Sequence, residues 1–308
     1  MCKNPVKFSY PESCNCPRKL RPCQNNLDSK TPQSFCSFEA THHGAHQRVI
    51  SYSLFESKDH QERNAWAEKR WKKGLIDNLL KMRKYFPGWV LRVYSDIDHD
   101  EFLCKLRCQN PDFFWCDIRN IAPYGDLSSK MASRTWRFLP LGDPTVDIFL
   151  SRDIDSILLS RDADTVKDWL ENTTRAFHAF RDHPFHVEPV LGGLWGGNNV
   201  LLSKNIATKI HNDIVNQSLL EGRQDKYFDQ NIMLGKIIFP PNRNRFVHYD
   251  TYYCDEWRNV TLTRPFPTQR NGLEFLGEQV IWGGFKGVGL KECPESCRPR
   301  HGKSWKLC

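Results

Sequence analysis

The segment between residues 48 and 96 constrains the fold most strongly. It contains two apolar runs with the composition of buried strands, RVISYSLF at 48–55 and WVLRVYSD at 89–96. Between them, apolar side chains recur at helical spacing at Trp71, Leu75, Leu79, Met82 and Phe86. Pro87 and Gly88 end this helix. A strand, a helix and a second strand in this order predict a parallel pair joined by a right-handed crossover.

The following chain continues this alternation. Further strands are predicted at 113–121, 146–151, 176–182, 190–203 and 245–250. Helices are predicted at 128–139, 205–222 and 225–238. The pattern is typical of an α/β domain with a mixed central sheet flanked by helices, which we expect to span residues 48–285.

The cysteines lie mainly in the two end segments, and the chain has 12 of them. Residues 1–47 contain Cys14, Cys16, Cys23 and Cys36, and residues 286–308 contain Cys293, Cys297 and Cys308. Both segments are predicted to be disulfide-rich extensions. A zinc site in the first is the alternative, but its cysteines lack the paired C-x2-C spacing of structural zinc modules. Three Asn-x-Ser/Thr sequons, at Asn172, Asn216 and Asn259, add to the expectation of a Golgi-lumenal or secreted protein.

The net charge of +8 is spread along the chain, and no motif for nucleic acid accompanies it. No apolar run is long enough to span a membrane, and the first residues lack the apolar region of a signal peptide. We therefore expect no nucleic-acid partner and no membrane span, and a signal or anchor that was removed.

Two aspartates follow the apolar strand in DIFLSRDIDS. Asp153 and Asp155 are two residues apart, so in an extended segment their carboxylates point the same way. Such a D-x-D pair needs a cation, and hard oxygen ligands suit manganese or magnesium. Aspartates at a helix start are the alternative, which fits Asp162 and Asp164 better.

At this motif the chain resembles nucleotide-sugar-dependent glycosyltransferases of the GT-A fold, and in particular a set of glycosyltransferase-like proteins. The matching segments, in order, are VISYSLF, KYFPGWVLRVYSD, WRFLPLGDPTVDIFLSRDIDS, FRDHPFH, LGGLWGG, FDQNIML and RPFPTQR. They run from about residue 48 to 276 and leave out the cysteine-rich ends. The resemblance implies a Rossmann-like sheet, a nucleotide-sugar donor, a glycan or glycoprotein acceptor, and a divalent metal, manganese or magnesium.

It also implies roles for individual residues. Asp153 and Asp155 would hold the metal and the donor, and His248 or Asp250 would complete the metal shell. Asp229 would be the catalytic carboxylate, deprotonating the acceptor or holding the donor sugar. A buried histidine that is satisfied within the fold, and an aspartate favoured by a helix dipole, are the structural alternatives.

Further donor-binding residues are expected around the motif. Lys130, Arg134 and Arg137 share one face of the predicted helix 128–139, where they would contact the diphosphate. Arg152 and Asp182 are candidates for the same site. The glycine-rich segment LGGLWGG contributes Gly193 and Trp195, which would line the donor pocket. A solvated basic face and a structural bulge are the alternatives.

Two other functions compete with this interpretation. A haloacid-dehalogenase-like phosphatase also has D-x-D after an apolar strand, but Ser156 and Ile157 do not fit its motif and no later acidic pair matches its magnesium site. A catalytically inactive, secreted binding protein on the same scaffold is the second alternative. The sequence does not specify the sugar, the nucleotide, the acceptor or the stereochemistry.

Overall fold

The structure is a computed structural model that describes residues 32–55, 65–98, 100–221, 227–279, 287 and 289–308. The predictions for Cys14, Cys16 and Cys23, and the boundary at residue 285, lie outside these residues. The strands are β1 (Gln47–Leu54), β2 (Val90–Ser95), β3 (Phe113–Asp117), β4 (Val146–Ser151), β5 (Phe177–Arg181), β6 (Trp195–Asn198), β7 (Phe246–Asp250) and β8 (Leu262–Arg264). The α-helices are α1 (Phe38–His42), α2 (Ala65–Tyr85), α3 (Glu101–Gln109), α4 (Ser160–Asn172), α5 (Lys204–Glu221), α6 (Phe239–Asn242) and α7 (Cys254–Trp257).

All eight strands form one sheet, in the order β3-β2-β1-β4-β6-β5-β7-β8. Strand β6 runs antiparallel to β4 and β5, whereas the other described pairs are parallel. The carboxyl ends of the seven remaining strands therefore lie at one edge of the sheet. The predicted α/β class and the mixed central sheet flanked by helices are confirmed.

Helices cover both faces of the sheet. On one face, the predicted stripe of α2 packs against the sheet, and Leu75, Leu79, Met82 and Phe86 are buried as expected. On the other face lie α5, a 3₁₀ helix at Ser133–Phe138 and a π-helix at Phe228–Ile238. Two apolar layers thus hold the sheet from either side.

The predicted strand at 190–203 is much shorter in the structure. Only Trp195–Asn198 form β6, and a 3₁₀ turn follows at Asn199–Leu201. The side chain of Asn198 accepts hydrogen bonds from the backbone N–H groups of Val200 and Leu201. This local capping turns the chain out of the sheet, as asparagine side chains commonly do.

Disulfides tie down both ends of the described chain, as predicted. Cys36 is bonded to Cys116 on β3, which excludes Cys36 from a zinc site. In the C-terminal region the pairs are Cys254–Cys297 and Cys293–Cys308. None of the described helices is both long and apolar enough to cross a membrane.

Candidate active site

The strand order reverses between β1 and β4, and the region beyond the carboxyl ends of these two strands is called the crevice below. The chain leaves β1 for β2 and β3 on one side and comes back to β4 on the other. In open α/β sheets, ligands bind outside the carboxyl ends of the strands at such a reversal of order. Ser53 near the end of β1 and Asp153, two residues beyond β4, both lie at this point.

One arginine joins two aspartates there. Arg137 donates through Nη1 to the carboxylate of Asp153 and through Nη2 to Oδ2 of Asp229, at 2.9 Å. The side chains of Arg137 and Asp229 are only 6% and 5% exposed, whereas that of Asp153 is 43% exposed. Burial lowers the pKa of Arg137, but the two carboxylates raise it by more, so the guanidinium is charged. Arg137 is thus a buried cation, and of its two carboxylate partners Asp153 is open to solvent and Asp229 is buried.

The backbone around Arg137 differs from the prediction. Residues 128–139 do not form one α-helix, since the helical part is the 3₁₀ helix Ser133–Phe138 and Ala132 before it is extended. Residues three apart share a face in a 3₁₀ helix, so Arg134 and Arg137 stay together, whereas Lys130 is an exposed turn residue. The backbone N–H of Arg137 donates to the hydroxyl of Ser53 at 3.0 Å, which ties this helix to the end of β1.

Arg134 contacts the residue that precedes the π-helix. The guanidinium of Arg134 lies over the ring of Tyr227, at 5.7 Å from its centroid. Asp229 follows two residues later, in the first turn of the π-helix. Arg134 therefore lies against the chain two residues before Asp229.

Two glycines close the crevice from the side of β6. A Cβ atom on Gly192 would lie 2.3 Å from Oδ2 of Asp229, and one on Gly193 would lie 1.9 Å from Oδ2 of Asp153. The carbonyl of Gly192 accepts a hydrogen bond from the Ser151 hydroxyl at 2.6 Å. Only glycine permits the backbone to approach both carboxylates this closely. Gly193 thus lies at the cluster, where it contacts Asp153.

The D-x-D pair has part of what a metal site requires. The segment after β4 is not extended as predicted, because the backbone turns at residues 153–156 and the Ser156 N–H donates to the carbonyl of Asp153 at 3.1 Å. Asp153 and Asp155 are both half-buried and offer hard oxygen ligands. No group of three or more His, Cys, Asp or Glu side chains that could hold a metal is found among the described residues. Magnesium commonly binds to one or two carboxylates and takes its other ligands from substrate phosphates and water. The two aspartates fit a metal of that kind.

His248 does not face the aspartates as the resemblance implied. It is completely buried in β7, and its Nε2 lies 2.8 Å from the carbonyl oxygen of Pro189. Its ring stacks on Trp257, with centroids 6.0 Å apart. Burial, with the charge of Arg181, lowers the pKa of His248 to about 3. Asp250, the other candidate, is paired with Arg181 at 2.7 Å. Both candidates occupy structural positions.

Trp195 and Arg152 are also placed inside the protein. The Trp195 ring is fully buried in the core, edge-on to Phe138 and Phe149. Arg152 donates to both carboxylate oxygens of Asp162, at 2.9 and 2.8 Å, in a pair with side chains 4% and 3% exposed. Consecutive residues of an extended segment point to opposite sides, so Arg152 turns away when Asp153 turns to the crevice. Neither residue is open to a donor.

Asp182 belongs to a separate buried network at the end of β5. It has no exposed surface and accepts hydrogen bonds from two arginines, Arg161 and Arg270, from the Thr251 hydroxyl and from the backbone N–H of Leu276. Burial raises the pKa of Asp182, but the two arginines lower it by more, to below its ordinary value. Asp182 is thus fully engaged within the fold.

Sequence reasoning overlooked two residues of the cluster. Ser53 lies near the end of β1, and Gly192 contacts Asp229. The signal for Ser53 was present, because polar residues at the carboxyl ends of neighbouring parallel strands meet at one edge. Gly192 directly precedes Gly193, and two consecutive glycines indicate a close approach of the backbone to other groups.

Comparisons with known proteins give fold likenesses only. No protein-family profile matches the sequence, and no curated protein sequence matches it either. In structure, the chain is similar to the glycosyltransferase GlyE of Streptococcus pneumoniae TIGR4, with 15% sequence identity and a TM-score of 0.41, over 68% of this chain and 46% of GlyE. It is also similar to a glycosyltransferase involved in the glycosylation of the major capsid of PBCV-1, with 12% identity and a TM-score of 0.37, over 72% of this chain and 94% of that one. The chain thus matches less than half of the length of GlyE. Likenesses this distant carry no argument about activity, so the function is argued from the site.

Proposed function

We propose that this protein is a metal-dependent glycosyltransferase that moves a sugar from a nucleotide-sugar donor to a glycan or glycoprotein acceptor. The observation that carries the proposal is the Arg137 bridge between Asp153 and Asp229, located where ligands bind in sheets of this order. A fixed cation next to an open pair of carboxylates suits a leaving group that carries several negative charges.

The proposed chemistry is electrostatic. Breaking the bond between sugar and diphosphate leaves negative charge on the diphosphate, and preorganised cations stabilise it as it develops. Arg137 is held by two carboxylates and by the carbonyl of Arg152 at 3.2 Å, so its position is set before the donor arrives. A divalent metal bound to Asp153 and Asp155 would supply Lewis-acid neutralisation of the same charge. Arg134, on the same face of the 3₁₀ helix, extends the basic surface.

Asp229 is assigned to the same reaction centre. It shares a guanidinium with Asp153, and two hydrogen bonds from Arg137 therefore link the proposed metal-binding carboxylate to the proposed catalytic one. Its near-complete burial and its contact with Gly192 fix the carboxylate in one orientation. This placement suits the proposed catalytic role of Asp229 at the donor sugar.

The proposal includes the secretory pathway as the place of action, with manganese as the expected metal and magnesium as the alternative. Three disulfides are formed among the described cysteines, at Cys36–Cys116, Cys254–Cys297 and Cys293–Cys308. Such bonds form and persist in oxidising compartments. Glycans and glycoproteins are the acceptors that such a compartment supplies.

Calorimetric titration of uridine and guanosine diphosphates into the purified protein tests the proposal. With manganese present we expect one of the two nucleotides to bind, and with a chelator we expect that binding to be lost. Asp155→Asn should weaken it at least about tenfold, or 1.4 kcal/mol. The matched control is Asp164→Asn, which removes the same charge at an exposed position in α4 and should leave the affinity unchanged.

The alternatives have separate outcomes. If neither nucleotide binds with manganese, donors built on these two nucleotides are excluded, and an inactive binding protein on this scaffold becomes the better account. A nucleotide affinity that is equal with manganese and with chelator would contradict the proposed metal dependence but not the proposed donor site. Equal losses in Asp155→Asn and Asp164→Asn would contradict the role of the D-x-D pair.

A further inference from the structure

Among the residues that the structure describes, the sheet has an open edge at β8. This strand is only three residues long and comes last in the strand order, paired with β7 on its inner side. Within the described chain no strand pairs with its outer side. Two apolar residues are exposed there, Val260 at 40% and Leu262 at 39%. An edge of this kind is a template for pairing with another chain, and proteins usually protect it.

Two of the three sequons flank this edge. The sequon Asn259-Val260-Thr261 ends directly before β8, in the turn after α7. The sequon at Asn172 lies at the end of α4, and its backbone carbonyl accepts a hydrogen bond at 3.0 Å from Nη1 of Arg264 in β8. Asn172 and Asn259 are both exposed. Residues almost 90 positions apart in the sequence are thus brought to the same strand.

Both sequons also lie away from the candidate active site. The Thr261 hydroxyl donates to the carbonyl of Phe246, the first residue of β7, at 3.1 Å. Arg175, which follows the Asn172 sequon, contacts the carbonyl of Asn244 just before β7. These contacts place both sequons at the amino end of the parallel strands, whereas Arg137 and its partners lie at the carboxyl end. Large groups attached here leave the crevice open.

The Asn172 side chain can be modified without losing its contact. Its Nδ2 donates one hydrogen bond to Oδ1 of Asp168 at 2.9 Å. A primary amide nitrogen carries two hydrogens, so a substituent in place of one leaves the other to donate. The third sequon does not lie beside β8, because Asn216 is on an exposed face within the long helix α5.

We infer that Asn172 and Asn259 carry N-linked oligosaccharides that shield the open β8 edge and keep the protein from associating through it. In the attachment, Nδ2 of the asparagine forms a bond to the anomeric carbon of an oligosaccharide, and the bond from that carbon to a lipid diphosphate breaks. The asparagine nitrogen loses one proton, and the lipid diphosphate leaves. Bulky hydrophilic chains at the amino end of β8 then surround Val260 and Leu262. This inference is independent of the proposed enzymatic function.

Expression in a secretory eukaryotic host behind a cleavable signal peptide tests it. Peptide mass spectrometry after enzymatic deglycosylation should find asparagine converted to aspartate at both sites. Light scattering across a concentration series should give a monomer for the wild type and a mass rising toward about twice that value for Asn172→Gln/Asn259→Gln, as expected for edge-to-edge pairing. Asn216→Gln is the matched control and should remain monomeric.

Removing the glycans enzymatically from folded wild-type protein gives the same comparison without a folding step. Association after this treatment supports the shielding role. Unmodified Asn172 and Asn259 would overturn the inference, and so would modified sites whose loss leaves the protein as monomeric as the wild type. Equal association in Asn216→Gln would show a general solubility effect and would also overturn it.

Discussion

Replacing Asp182 with asparagine removes the negative charge from a fully buried carboxylate that accepts hydrogen bonds from four residues. It accepts hydrogen bonds from Nη2 of Arg161 at 3.0 Å, Nη2 of Arg270 at 2.8 Å, the Thr251 hydroxyl at 2.8 Å and the Leu276 N–H at 3.0 Å. Asp182→Asn keeps the shape of the side chain but leaves two buried guanidinium groups without their counter-charge. Removing one partner of a buried ion pair costs about 3–5 kcal/mol. For a chain of this length, with about 2.1 cal/mol/K of unfolding entropy per residue, Tm should fall by roughly 5–8 °C.

Differential scanning calorimetry of the wild type, Asp182→Asn and the exposed control Asp164→Asn measures this change. The control should unfold at the wild-type temperature, because an exposed charge at the start of α4 contributes little. A Tm for Asp182→Asn within about 1 °C of the wild type would refute the reasoning. If nucleotide binding were lost at an unchanged Tm, Asp182 would act on the donor, as the resemblance first implied.

Two further predictions concern the crevice and the buried histidines. Gly193→Ala places a Cβ atom 1.9 Å from Oδ2 of Asp153, so that carboxylate must move; nucleotide affinity measured by calorimetry should fall roughly tenfold, and an unchanged affinity would contradict the contact. The pKa of His248 is lowered to about 3, and burial holds that of His178 well below 6.5. As pH falls below 6.5, the unfolded chain takes up protons at these residues before the folded chain does. The free energy of unfolding should therefore decrease by up to about 1.4 kcal/mol per pH unit for each histidine. Denaturant titrations across this range should show a shallower decrease in His178→Leu than in the wild type, and identical slopes would exclude His178 as a contributor.

The strands and the long helix were predictable because burial imposes a period on the sequence. Strand β2 is buried at every position and is mostly apolar apart from Arg92 and Ser95, and the buried stripe of α2 recurs every three or four residues. The position of Asp153 followed from the same logic, since a polar residue directly after a buried strand lies at the sheet edge. What the pattern lacks is the order of the strands.

Contacts across that order were therefore beyond a sequence-based prediction. Arg137 and Asp229 are 92 positions apart and meet only because β4 lies beside β1 and the π-helix packs behind them. The same is true of Asp182, whose partner Arg270 is 88 positions away. The residue types indicated that these carboxylates bind a charged or polar partner. They did not indicate whether that partner is a bound nucleotide-sugar or an arginine of the protein itself.

The assignment of Arg152 to the donor site could have been avoided from the local sequence alone. Alternation along an extended segment sends Arg152 and Asp153 to opposite sides, so the two side chains could not both face the donor site. The 3₁₀ helix is different, because nothing in the composition of residues 128–139 distinguishes three residues per turn from 3.6. Its geometry follows from the packing of Trp136 and Phe138 into the core beside the sheet.

The reversed direction of β6 makes one part of the protein easy to enlarge. Because β6 runs against β5, the chain between them, residues 182–194, leaves and re-enters the sheet at the same edge, with Ala179 and Trp195 side by side. Doubling the length of a loop whose ends are fixed costs only about 0.6 kcal/mol of closure entropy. The outermost residues of this loop, Phe185 and Val187, are 74% and 55% exposed. Insertions at that tip would lengthen an exposed part of the loop, whereas the hydrogen bonds of Arg137 to Asp153 and Asp229 involve none of its residues.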